Sequence, residues 1–140
     1  MRIWFKDTSI EILNQRGKDT MVEFLDIQFT EVGDDFLSAT MPVTNRTRQP
    51  MGILHGGANI VLAETIASTA ANAVVDPELF YCVGLEINAN HIRSVKEGIV
   101  TATVFSIHLG RTTQIWQINI FNEDRKITCT SRMTASVLSR

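Results

Sequence analysis

A continuous run of apolar residues is the clearest pattern in this 140-residue chain. Residues 56–75 are apolar at most positions, and Glu64 carries the only charge among them. A helix that is apolar on nearly all sides is usually buried, so we predict a long buried helix over residues 56–75. The helix should end before Asp76 and Pro77, because proline cannot continue a helix.

Apolar and polar residues alternate through much of the remaining chain, as they do in half-buried strands. Strands are predicted at residues 26–32, 36–42, 81–92, 99–109, 112–121 and 127–138. In the strand at 81–92 the alternation predicts one face made of Val83, Leu85, Ile87, Ala89 and His91. Short turns separate most consecutive strands, so we expect antiparallel pairing.

Two short helical segments are predicted ahead of the first strand. The sequence Thr8-Ser9-Ile10-Glu11 matches a capping box that would start a helix ending at Gly17, and a further turn is expected over residues 20–25. This element order predicts an α+β fold, an antiparallel sheet wrapped around one long central helix, in a single domain over residues 1–140. Exposed sheet edges need a cover, and edge-to-edge dimerisation is one way to provide it.

Composition narrows the class of protein. The chain is 44% hydrophobic and 20% charged, which is typical of a soluble globular protein, and its net charge of −2 predicts no affinity for nucleic acid or an anionic membrane. Polar residues interrupt the long helix too often for a membrane span. Cys82 and Cys129 lack redox or metal spacing, and the N-terminus lacks an apolar leader, so we expect reduced thiols in a cytoplasmic protein. The histidine spacing predicts no metal site.

The lone carboxylate in the predicted helix is the strongest chemical signal. Burying Glu64 without a partner is costly, and catalysis is a common reason for such a residue. The same helix begins at Leu54-His55-Gly56-Gly57, where free backbone N–H groups can hold a developing negative charge. A carboxylate and an anion-binding helix start are most of what acyl transfer requires, and the absence of a Gly-x-Ser-x-Gly sequence argues against a serine hydrolase.

Several of these candidates also have a purely structural interpretation. Glu64 would be structural if it capped a loop or paired with a distant arginine. His55 would be structural if it only closed the helix start through a nearby carbonyl, and His91 if it were a hydrogen-bonded core residue. Arg93 and Arg111 suit phosphate groups, but a single arginine of this kind is more often solvated.

Short segments spread over nearly the whole chain carry a resemblance to a known family. They are Gly33-Asp34-Asp35, residues 39–43, Arg46-Thr47-Arg48-Gln49-Pro50, Leu54-His55-Gly56-Gly57, Leu62-Ala63-Glu64-Thr65, residues 83–91, His108-Leu109-Gly110-Arg111 and residues 114–118. At these spacings the chain resembles the hotdog-fold acyl-CoA thioesterases of the 4-hydroxybenzoyl-CoA and phenylacetate-degradation branch. Within that branch it looks most like the bacterial 1,4-dihydroxy-2-naphthoyl-CoA thioesterases of menaquinone synthesis and the proofreading thioesterase of enterobactin synthesis.

The resemblance implies a role for each residue that matches a family position. Glu64 matches the catalytic carboxylate, a base or a nucleophile, and Gly56 matches the glycine whose N–H polarises the thioester carbonyl. Gln49 and His55 match residues around that carbonyl, and Ser68 matches a hydroxyl near the catalytic water. Segments lining the acyl and CoA sites are matched by Gly84, His91, Ile92, Arg93, Ser94, His108, Leu109, Gly110, Arg111, Thr112 and Thr113. Serine at position 94 departs from the proline that relatives often have.

The resemblance also implies the reaction and its setting. We expect an enzyme that hydrolyses an aromatic acyl-CoA to the free acid and CoA, without a cofactor, in a homodimer or a dimer of dimers. The alternatives are a proofreading enzyme for misloaded carrier proteins, a non-catalytic acyl-CoA-binding module, a hotdog dehydratase and a structural oligomer. The lone Glu64 argues against a pure binding module, and no convincing His/Asp pair supports a dehydratase.

The spacing of the two main candidates has a geometric consequence. Glu64 follows Gly56 by eight residues, which is ~12 Å along a helix at about 1.5 Å per residue. One thioester carbonyl cannot lie within hydrogen-bond reach of both groups in one chain. If both groups act on it, we expect them to come from different subunits related by a two-fold axis.

Overall fold

The computed structural model describes all residues, 1–140, and contains three helices and six strands. In chain order they are α1 (Ile10–Arg16), α2 (Met21–Phe24), β1 (Gln28–Val32), β2 (Phe36–Pro42), α3 (Gly56–Ala73), β3 (Phe80–His91), β4 (Ile99–Leu109), β5 (Thr113–Phe121) and β6 (Ile127–Ser139). The predicted order of elements is confirmed, and the strand bounds lie within two residues of the expected ones.

All six strands form one antiparallel sheet in the order β1-β2-β4-β5-β6-β3. Because α3 carries the chain from β2 across the sheet, β3 lies at the edge opposite β1. Strict alternation in β5 is confirmed, since Trp116, Ile118 and Ile120 are fully buried on the inner face. The predicted α+β arrangement, a sheet wrapped around one long helix, is therefore the observed one.

One face of α3 packs into the core. Its fully buried residues are Leu62, Ala63, Ile66, Ala67, Ala70 and Ala71. The alanines let the helix approach the sheet closely, while Leu62 and Ile66 fill the space between the strands. The opposite face, which includes Glu64 and Ser68, is only half-buried. The helix is thus not enclosed on nearly all sides as expected, because a single sheet covers only one side of it.

The predicted face of β3 is wrong in its first half. A β-bulge directly follows Gly84, and the extra residue reverses the alternation of side chains. Cys82 is buried before the bulge and Ile87 packs against the core after it, whereas Val83 and Leu85 are 40% and 64% exposed. The edge strand consequently carries two exposed apolar side chains that the pattern had assigned to the core.

The predicted capping box of α1 is also wrong. The helix begins one residue later than the box requires, with Ser9 as N-cap, and the Ser9 hydroxyl accepts a hydrogen bond from the N–H of Ile12 at 3.3 Å. Thr8 instead donates to the carbonyl of Lys6. Glu11 is then too early to complete a box, although its own backbone N–H and the Ser9 hydroxyl hold the pKa of the Glu11 carboxyl below its usual range.

Both cysteines are free and buried, as expected for core thiols. Burial raises the pKa of the Cys82 and Cys129 thiols, so both remain protonated and unreactive at neutral pH.

None of the three helices has both the length and the apolar character that crossing a membrane requires.

The core face of α3 generates a stability prediction. Leu62→Ala should lower the free energy of unfolding by about 2–5 kcal/mol, because it leaves a cavity between the helix and the sheet. Ile12→Ala is the control, since Ile12 is 45% exposed on α1 and its truncation should cost less than about 1 kcal/mol. Urea unfolding at one fixed protein concentration measures both values, and equal losses would contradict the burial of Leu62 in the core.

Candidate active site

The start of α3 leaves one backbone donor free. His55 is the N-cap, and its Nδ1 accepts a hydrogen bond from the N–H of Gly57 at 2.8 Å. The carbonyl of His55 accepts from the N–H groups of Ala58 and Asn59 at 3.0 and 3.2 Å. The N–H of Gly56 is the only one of these first-turn donors without an acceptor in the chain. The helix start therefore presents a single free N–H, and His55 acts as a cap through its ring rather than through a carbonyl contact.

A well-anchored loop brings Gln49 to the same place. Thr47 is almost fully buried, and its hydroxyl donates to the carbonyl of Pro42 at 2.9 Å. The N–H of Gln49 donates to the carbonyl of Ile53, and its side-chain oxygen accepts from the N–H of Met51. With the oxygen so engaged, the Gln49 amide N–H₂ group remains free to donate to a ligand.

The free N–H of Gly56 lies at a cleft of about 290 Å³ between this loop, α3 and the end of β3. The cleft is lined by Gln49, Ile53, Leu54, Gly56, Asn59, His91, Ile92, Arg93, Ser94 and Val95. His91 is exposed here, so its interpretation as a core histidine is wrong. The structure thus brings together Gln49, Gly56 and the whole predicted segment 91–94.

Glu64 occupies a second location, farther along α3. Its Oε1 accepts a hydrogen bond from the hydroxyl of Ser68 at 2.9 Å, one helical turn later. The carboxylate lies directly over Gly84 of β3, where a Cβ atom would come within 2.6 Å of Oε1. No arginine or lysine pairs with Glu64, so its interpretation as a structural ion pair is wrong. Glycine at position 84 provides the space that the carboxylate occupies.

The remaining predicted residues lie at the turn between β4 and β5. The carbonyl of Thr112 accepts from the N–H of Val137 at 2.9 Å, and Thr113 pairs with Ser136, which in turn pairs with Val83. Along the strand direction, segment 108–113 therefore lies at the same position in the sheet as the first half of β3. Segment 91–94 lies at the other end of that strand, because Ile92 donates to the carbonyl of Thr128. One chain alone does not bring the two segments together.

The two arginines differ in their contacts. Arg93 donates to the carbonyl of Ile127 at 2.6 Å, which fixes its guanidinium at the rim of the cleft while leaving other N–H groups available. Arg111 is exposed and has no partner in the chain. No group of three or more His, Cys, Asp or Glu side chains is arranged to hold a metal ion.

One polar residue of the cleft, Asn59, is not among the predicted site residues. It is only 5% exposed, and its side-chain nitrogen lies 3.4 Å from Nδ1 of His91. The available signal was an amide near the start of an otherwise apolar helix. That signal is weak without the fold, since Asn59 and His91 are separated by 32 residues in the chain.

Comparison with known proteins identifies the family of the chain. Residues 51–129 match the family described as the thioesterase superfamily. The 1,4-dihydroxy-2-naphthoyl-CoA hydrolase of Escherichia coli is 51% identical over 136 residues, which cover 97% of this chain and 99% of that protein. The proofreading thioesterase EntH of Cronobacter sakazakii is 45% identical over 137 residues, with 97% and 98% covered. A crystal structure of a mutant of thioesterase PA1618 from Pseudomonas aeruginosa matches with a TM-score of 0.97 at 44% identity, and 99% of each chain is covered.

The chain belongs to the thioesterase superfamily and has its hotdog fold. It is accordingly a hydrolase of thioesters, and the family expected from the short sequence segments is confirmed.

The contact between Glu64 and β3 generates a prediction. Gly84→Ala should displace the Glu64 carboxylate, and a displacement of about 1 Å can lower thioester hydrolysis by up to ~10²-fold. Ile99→Ala, 43% exposed on β4 and away from the β3 edge, is the control and should leave kcat/KM nearly unchanged. Release of the free thiol measures activity, and thermal unfolding verifies the fold. Full activity of a folded Gly84→Ala variant would show that the carboxylate position is not critical.

Proposed function

We propose that this protein hydrolyses an aromatic acyl-CoA, such as 1,4-dihydroxy-2-naphthoyl-CoA or a hydroxybenzoyl-CoA, to the free acid and CoA. The observation that carries the proposal is the pair of complementary sites on α3: one unpaired N–H at its start and one carboxylate without a cationic partner in its middle. The identity of 51% to a relative named 1,4-dihydroxy-2-naphthoyl-CoA hydrolase supports the choice of acyl group.

The catalytic candidates have distinct roles in this proposal. The N–H of Gly56 and the free amide of Gln49 donate to the carbonyl oxygen of the thioester, which makes its carbon more electrophilic. His55 holds the helix start in shape through its hydrogen bond to Gly57. Ser68 binds Oε1 of Glu64 and leaves Oε2 available to the reacting molecule.

Two chemical routes fit a single carboxylate. As a general base, Glu64 takes a proton from water while the water oxygen bonds to the carbonyl carbon and the C=O electron pair moves to oxygen. As a nucleophile, its oxygen bonds to the carbon directly and water then cleaves the resulting anhydride. In both routes the C–S bond breaks as the electron pair returns. A CoA thiolate leaves without a strong acid, because the pKa of a thiol is roughly 8.5.

The active site is proposed to form between two copies of the chain. Gly56 and Glu64 lie ~12 Å apart along α3, and segments 91–94 and 108–113 lie at opposite ends of β3, so one chain supplies only half of each site. Edge strand β3 has unpaired backbone groups and the exposed apolar side chains of Val83 and Leu85. Pairing this edge with a second copy would supply hydrogen-bond partners for the backbone groups and cover the two apolar side chains. We therefore propose a dimer that can associate further into a tetramer.

A groove beside Ser68 is suited to the acyl group. It has a volume of about 280 Å³ and is lined by Leu13, Arg16, Gly17, Val22, Phe29, Thr65, Ser68, Thr69 and Asn72. Apolar side chains on one wall suit an aromatic ring, and the hydroxyls of the other wall suit its polar substituents.

Arg93 and Arg111 are proposed to bind the phosphates of CoA at the two ends of the site. We further propose that residues 1–140 act as one catalytic domain in the cytoplasm, where the two core thiols stay reduced.

A carrier protein is the second candidate substrate. The loop that holds Gln49 also carries the exposed Arg46 and Arg48, and Nε of Arg48 donates to the carbonyl of Lys96 at 3.2 Å. The cationic side chains of Arg46, Arg48 and Lys96 would suit an acidic carrier protein docked at the cleft. Comparison of kcat/KM for an aroyl-CoA and for the same aroyl group on a carrier protein distinguishes the two substrates.

The first test of the proposed function is Glu64→Gln, which keeps the shape of the side chain and an acceptor for Ser68. It should lower kcat by about 10²–10⁴-fold in a thiol-release assay with an aromatic acyl-CoA, because the base or nucleophile is lost. Glu31→Gln is the control, since Glu31 is exposed on β1, at the sheet edge opposite β3. A Glu64→Gln enzyme with wild-type kcat would exclude Glu64 as the catalytic group.

The second test addresses the shared site. Glu64→Gln subunits and Gln49→Ala subunits should each have low activity alone. A randomly mixed one-to-one dimer population should regain about a quarter of wild-type activity, because half of the dimers are heterodimers with one intact site. Tagged subunits purified in tandem establish that heterodimers are present, and inactive heterodimers would place both groups in the same subunit's site.

A further inference from the structure

The side chain of Asn59 has an unusual place in the cleft. It is 5% exposed, and its Oδ1 is the only buried side-chain nitrogen or oxygen atom in the chain without a hydrogen-bond partner. An unpaired buried acceptor destabilises a protein, and such groups are rare. An apolar residue of similar size would avoid this cost. The presence of asparagine therefore indicates a role other than stability.

The other end of the same amide contacts His91. Nδ2 of Asn59 lies 3.4 Å from Nδ1 of His91. An amide nitrogen can only donate, so Nδ1 must accept, and the proton of the neutral imidazole is then on Nε2. Asn59 in this orientation selects one of the two tautomers of His91 and limits the rotation of an otherwise exposed ring.

Nε2 of His91 is directed towards the helix start. A Cβ atom on Gly56 would lie 2.8 Å from Nε2, so only glycine allows the ring to approach this closely. A Cβ lies roughly 2.5 Å from the nitrogen of its own residue, which places Nε2 within about 5.3 Å of the Gly56 nitrogen. Two donors at that separation can both bind one oxygen atom at about 2.9 Å.

We propose that the Nε2–H of His91 joins the Gly56 N–H in binding the thioester oxygen, and that Asn59 is a positioning residue that keeps His91 in this tautomer. The inference rests on the proposed thioester hydrolysis and adds a third donor beside Gly56 and Gln49. A ground-state carbonyl oxygen has two lone pairs, whereas the oxyanion of the tetrahedral intermediate has three. The third donor is fully used only after attack, so it should affect kcat rather than KM.

Two substitutions of His91 test the donor. His91→Gln can place an amide N–H close to the position of Nε2, whereas the shorter His91→Asn places it near Nδ1. We expect His91→Asn to lower kcat by about 10²-fold with little change in KM, and His91→Gln to retain most of the activity. Wild-type kcat in a folded His91→Asn variant, or equal loss in both variants, would overturn the assignment of Nε2–H as a donor.

Asn59→Leu tests the positioning role, because leucine has a similar size and removes both ends of the amide. We expect kcat to fall by about tenfold at unchanged KM, while Tm stays equal or rises with the loss of the unpaired oxygen. Imidazole nitrogen NMR on labelled protein should show His91 as the Nε2–H tautomer in the wild type and as a mixture in the variant. A lower Tm with unchanged kcat would show that Asn59 is only structural.

The tautomer measurement separates this inference from the proposed function. If the wild type hydrolyses no thioester but His91 still depends on Asn59 for its tautomer, the proposed function fails and the pairing remains. If the wild type is active and the tautomer is the same in Asn59→Leu, the positioning role fails and the proposed function remains.

Discussion

The packing of α3 against the inner face of the sheet is the constraint on which the rest of the structure depends. Ala63, Ala67 and Ala70 bring the helix axis close to the strands, and their full burial fixes which side of the helix faces the core. Glu64 and Ser68 are then forced onto the half-buried side, over Gly84 of the edge strand. The catalytic candidates owe their positions to residues with no chemical role.

The same packing explains why one chain would be incomplete for the proposed chemistry. A single sheet covers one side of a helix, so the polar side of α3 and the edge strand β3 remain open together. A rigid helix also keeps its start and its carboxylate a fixed distance apart, which no side-chain movement within the chain can close. Assembly of two copies would resolve both problems with one interface, and this links the proposed oligomer directly to the proposed chemistry.

Hydrogen-bond donors lie at the start of α3, whereas the acceptor, the Glu64 carboxylate, lies farther along the helix. At the helix start, His55 and His91 each accept a hydrogen bond at Nδ1, from Gly57 and from Asn59, so a neutral ring carries its proton on Nε2. Together with the unpaired N–H of Gly56, this end of α3 is rich in donors. The other location has the Glu64 carboxylate, an acceptor. A thioester needs donors at its oxygen and an electron-rich group at its carbon, and the fold provides them separately.

The amino-acid sequence by itself determined the order of the elements, the single long helix, its one carboxylate and the family, because hydrophobic periodicity and short motifs are local properties. The tertiary structure alone decided the exposure of Val83 and Leu85, since a bulge depends on the register between β3 and β6. It also decided the contact between Asn59 and His91, which are 32 residues apart. Such features arise from atoms that meet only after folding, so no local pattern encodes them.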